Sequence, residues 1–76
     1  MKNEYKEKEE IKVPTVTEVI VIVDALSIRN DEGKKVGIIR MGNTKITDTK
    51  EIDGVKWGKL FDGSGWINLD FTREVE

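Results

Sequence analysis

The sequence predicts an all-β fold, a small closed barrel of five to six short antiparallel strands, on three observations. Its apolar runs are short and rich in β-branched residues. Glycine beside aspartate or asparagine punctuates them. No apolar pattern at helical spacing extends beyond one turn from Thr15 onward, and this combination reads as strands joined by tight turns. A chain of 76 residues fits one domain, and at this size only about 60% of the unfolded surface is buried, so modest stability is expected.

The first segment is different in kind. Residues 1–14 alternate lysine and glutamate and end at Pro14, with four lysines against four glutamates up to Lys12. They read as a charged flexible linker, since an isolated helix of this length is marginal in water and proline holds its predecessor extended. The folded domain is expected over residues 15–76.

Val16 to Val23 forms the first strand, because stiff β-branched side chains suit a pleated surface. Leu26-Ser27-Ile28-Arg29 alternates, which points Leu26 and Ile28 inward and Ser27 and Arg29 outward. A loop through Asn30, Asp31, Glu32 and Gly33 follows. Val36 to Met41 is the next run, closed by Gly42-Asn43, a pair that tolerates the positive φ of a tight turn. Thr44 to Thr49 follows. Asp53-Gly54 is the strongest hairpin signal in the chain and leads into Val55 to Leu60. Asp62-Gly63 repeats the device before Trp66 to Leu69, and Phe71 to Val75 returns to close the sheet. This is the size of an SH3-like barrel, in which closure removes exposed edges.

Composition excludes whole classes of chemistry. There is no cysteine and no histidine, so disulfides, thiolate or imidazole metal sites and histidine-dependent nucleophilic catalysis are ruled out. The aspartates match neither an EF-hand loop nor a glycosidase pair and are explained by turns, so no enzyme activity, metal or cofactor is expected. Fifteen acidic residues against thirteen basic ones, with no basic cluster expected around the tryptophans, argue against a nucleic-acid partner. The longest apolar run, Val19 to Val23, falls far short of the ~20 residues that cross a bilayer. No membrane span is therefore expected.

The landmarks from Thr15 to Val75, taken in order, resemble the bacterial SH3 family. Ala25-Leu26-Ser27-Ile28-Arg29 looks like its Ala-Leu-Asn-Val-Arg opening. Gly37 and Gly42 keep its five-residue glycine interval, and Trp57-Gly58-Lys59-Leu60, Gly65-Trp66-Ile67 and Phe71 follow its Trp-x-Lys-Val, Gly-Trp-Val and closing-aromatic pattern. The family's Gly-Pro after the arginine is missing, as is an aromatic near Lys34 and Lys35, and Phe71 stands where tyrosine is common.

The resemblance implies a non-catalytic module that binds peptidoglycan, through its peptide stems or cross-bridges, on behalf of a linked hydrolase or surface protein outside the cell. The covalently linked domains, and any export signal, would lie in a larger parent. The ligand-facing residues it implies are Arg29, Asn30, Asp31, Trp57, Asp70 and Phe71, in a groove beside the loop that starts at Asn30. Arg29 is open between a salt bridge and a hydrogen bond to a ligand carbonyl or carboxylate. Trp66 is expected to be buried, Trp57 to lie either in the core or on the groove floor, and Phe61 and Phe71 to be part core and part surface. The missing recognition residues favour a second reading, a structural or intramolecular interaction domain that binds no wall polymer. A proline-rich peptide groove would need more exposed aromatics than the chain supplies.

Overall fold

The computed structural model describes residues 16–75. The charged linker and the predicted domain start at Thr15 lie outside the described residues. Five antiparallel strands form one sheet: β1 Thr17–Arg29, β2 Lys35–Ile52, β3 Val55–Leu60, β4 Trp66–Asn68 and β5 Thr72–Glu74, with a one-turn 3-10 segment at Leu69–Phe71. The spatial order is β2-β3-β4-β1-β5, and β1 also pairs with β2. That extra pairing closes β1 to β4 into a ring, with β5 added along Val19 to Val21. The result is the small all-β, SH3-like barrel that the sequence predicts.

Two strands are longer than the sequence pattern suggests. Val16–Val23 and Leu26–Arg29 fuse into β1, and the two runs either side of Gly42-Asn43 fuse into β2. Gly42-Asn43 is therefore not a turn. Gly42 keeps a positive φ of 132°, but it pairs with Val21 inside the ladder, and the register then jumps to Ala25 opposite Arg40. Three β1 residues face one β2 residue across this bulge, which bends the ribbon without parting it. The bulge also changes the phase of burial: odd-numbered Val19 and Val21 point inward before it, even-numbered Leu26 and Ile28 after it.

The inward residues meet in one cluster of Val19, Val21, Leu26, Ile28, Ile46, Leu60 and Ile67, with Val23, Ile39 and Leu69 packed against it. Ile46 pairs with Thr17 on β1 and with Leu60 on β3, so β2 changes partner there. Asp53-Gly54 forms the expected two-residue hairpin, with Ile52 opposite Val55. Both loop residues have positive φ, 52° and 81°, as a type I′ turn requires.

Candidate functional site

The outer face of the barrel gathers the polar and aromatic residues around the end of β1. The hairpin fixes Lys50 opposite Trp57, β3 and β4 set Trp57 opposite Asn68 and Lys59 opposite Trp66, and Arg29 pairs with Trp66 to close the ring. Alternation then carries Gly58, Leu60 and Ile67 inward and Trp57, Lys59 and Trp66 outward. The junction is tight at Gly65, where an added Cβ would lie 2.6 Å from the Arg29 carbonyl oxygen and φ is +150°. Only glycine fits there.

The β1–β2 loop is built by Asn30. Its side-chain oxygen accepts the backbone N–H groups of Glu32 at 2.9 Å and Lys34 at 3.0 Å, while its own N–H and C=O bond Lys34 and Gly33. Arg29 Nη1 donates to the Gly33 carbonyl at 3.1 Å. Asp31 latches the loop to the barrel, because its Oδ1 accepts the Trp66 indole N–H at 2.7 Å. Over the ring of that indole, Lys50 Nζ lies 4.0 Å from the centroid and Lys59 Nζ 6.0 Å from it, within cation–π range.

Two clefts flank Trp57. One, of about 230 Å³, is walled by Arg29, Asp31, Lys50, Ile52, Trp57 and Trp66 with the loop backbone. The other, of about 320 Å³, runs from Arg29 and Trp57 past Ser27 and Asn68 to Phe71. Arg29 and Trp57 belong to both. The structure thus brings Arg29, Asn30, Asp31 and Trp57 to one cleft and Phe71 to its neighbour. Asp70 stands outside both, exposed, with its N–H on Asn68 Oδ1 at 2.8 Å.

Trp66 is buried as expected, at 8% exposure, yet it is not part of the inner cluster; it faces outward under Lys50 and Asp31. The expectation that no basic cluster surrounds the tryptophans is overturned, since Arg29, Lys50 and Lys59 come to them from three strands. Lys50 was legible in principle: a two-residue hairpin at Asp53-Gly54 places it opposite Trp57. Trp66 was not, because Trp66 and Ile67 are both apolar and alternation cannot say which faces in. Phe61 lies mainly at the surface. It borders a third cleft, about 440 Å³, with Glu18, Ile38, Asn43 and Ser64. In that cleft Asn43 Nδ2 already donates to Glu18 Oε2 at 2.9 Å, and no tryptophan lines it, so the Trp57 face is the stronger candidate.

Among the described residues no group of three or more acidic side chains is placed to hold a metal ion, and no helix is long and apolar enough to cross a membrane. The chain matches no protein-family model and is significantly similar to no curated protein and no solved structure.

Proposed function

We propose that this chain is a non-catalytic binding module that holds a linked hydrolase or surface protein against bacterial peptidoglycan, outside the cell, by gripping the peptide part of the wall. The observation that carries the reading is Trp57, half-buried between two open clefts that both include Arg29. A half-buried indole offers an extended peptide a flat apolar floor, and the guanidinium beside it offers planar donors to a carbonyl or carboxylate. Clefts this shallow make each contact weak, so tight attachment would come from repeated modules on a polymer that repeats its own epitope.

A second reading, a structural domain that packs on a neighbour and touches no wall polymer, is favoured by the strongly exposed Ile22, Val36, Ile38 and Met41 on β1 and β2. Co-sedimentation with purified sacculi separates the two. The wild type is expected to sediment with the wall, and Trp57→Ala to lose binding while its melting temperature falls only slightly, at a cost of about 1 kcal/mol. A folded wild type that stays in the supernatant would sink the wall-binding reading and leave the intramolecular one. Equal loss of fold and binding in Trp57→Ala would make Trp57 a structural residue.

A further inference from the structure

The charges around the smaller cleft are unbalanced in a way that specifies its ligand. Two cations line it, Arg29 from β1 and Lys50 from β2, against one acid, Asp31. The Asp31 carboxylate is already engaged by the Trp66 indole N–H at 2.7 Å. Lys59 flanks the same indole from β3 at 6.0 Å, and the nearest acid on the ladder is Asp48, directly opposite Lys59. Lys50 is held over a ring face, which attracts the ammonium without supplying an oxygen acceptor, so its three N–H donors stay available. Arg29 spends one donor on the Gly33 carbonyl and keeps the rest of its fork.

From this we infer that the cleft beside the β1–β2 loop recognises a free peptide carboxylate, held by Lys50 and Arg29, with Trp57 and Ile52 covering the side chain of the residue that bears it. The inference rests on the peptide-binding reading above and adds to it the chemical group that is read. Ile52 is 48% exposed at the rim, so an apolar surface is already waiting beside the cations. A single carboxylate suits the site better than a polyanion. The volume is small, and the Asp31 carboxylate in its wall would repel a longer run of phosphates.

The test is an NMR titration of the full chain with four probes: N-acetyl-dialanine as the free acid, the same peptide as its C-terminal amide, sodium acetate, and an oligothymidylate. The acid is expected to shift the amides of Gly33, Lys50 and Ile52 and both indole N–H signals, and the amide to bind about tenfold more weakly for loss of a charge-assisted contact. Lys50→Met should weaken the acid by a similar factor and leave the amide unaffected, and Lys50→Arg should restore binding. Equal binding of acid and amide, no response to the acid at millimolar concentration, or an unchanged affinity in Lys50→Met overturns the inference. So does acetate binding as tightly as the peptide acid, or the oligothymidylate binding more tightly. Sacculus binding with no acid preference leaves the wall reading standing and removes the carboxylate. Acid preference without sacculus binding supports the carboxylate and removes the wall.

Discussion

On the inner face of the β3–β4 ribbon Gly58, Leu60 and Ile67 are sealed against the other strands, with Ile67 at 0% exposure. On the outer face Trp66 is 8% exposed, with the Asp31 carboxylate on its N–H and the Lys50 and Lys59 ammonium groups toward its ring. The two faces arrive at similar burial by different means. Inside, cover comes from side chains with no polar atoms, and Gly58 makes room by having none, since a Cβ there would lie 2.9 Å from both Ile46 Cδ1 and Leu69 Cδ2. Outside, the contacts on the indole are polar, one hydrogen bond to Asp31 and two cation–π contacts with Lys50 and Lys59, each of which water can replace. Low exposure alone therefore does not make a residue part of the core. The chemistry of what covers it decides whether it holds the fold or can meet a ligand.

The contrast is tested most severely by Ile67→Ala. Removing a fully buried side chain from the inner face should cost about 2 to 5 kcal/mol, a large part of the stability of so small a domain, read as a drop in the urea midpoint. A loss below about 1 kcal/mol would mean that the inner face relaxes far more easily than close packing permits.

Trp66→Phe probes the other face. It keeps an aromatic ring but removes the N–H that Asp31 accepts. Because Asp31 is exposed and water can solvate it, the expected cost is about 1 to 2 kcal/mol, with faster hydrogen exchange in the Asn30 to Lys34 loop. A cost equal to that of Ile67→Ala would erase the distinction between the faces.

The smallest effect is at the β3–β4 turn. There the Ser64 hydroxyl, and after it the Ser64 backbone N–H, donate to Asp62 at 2.7 and 2.9 Å and hold its carboxyl below the ordinary value. A carboxylate lowered on folding stabilises the native state above its unfolded pKa and loses that contribution as the pH falls through the lower folded value. Ser64→Ala should raise the Asp62 pKa toward normal in an NMR titration and leave stability at neutral pH almost untouched. An unmoved pKa would show that the hydroxyl contact does not persist in solution.

Much of this was written locally in the chain. Asp53-Gly54 dictated a type I′ hairpin, because two successive positive φ angles suit aspartate and glycine, and that hairpin carried the register that puts Lys50 opposite Trp57. The alternation of Leu26 to Arg29 set which side of β1 faces the core. The Asn30 to Gly33 loop was marked by its turn residues, whereas Trp57 was left open between core and groove floor. Of the residues expected at the groove, Arg29, Asn30, Asp31 and Trp57 share one cleft and Phe71 the next. Asp70 does not, because the 3-10 turn after β4 carries it to the surface outside both.

What the sequence by itself determined, then, is the strand content, the register of the Asp53-Gly54 hairpin and the inward parity of the alternating Leu26 to Arg29 run, since all of these depend on neighbours a few residues apart. Only the tertiary structure decided that β1 and β2 run unbroken, that Trp66 turns outward while Ile67 turns in, and that Arg29, Lys50 and Lys59 converge on the indoles. The bulge that resets the parity of β1 lies opposite Gly42, and a glycine inside a bulged ladder looks the same in sequence as a glycine in a turn. The Asp31–Trp66 bond spans 35 positions, a distance over which local propensity carries no information and only closure of the ring brings the partners together.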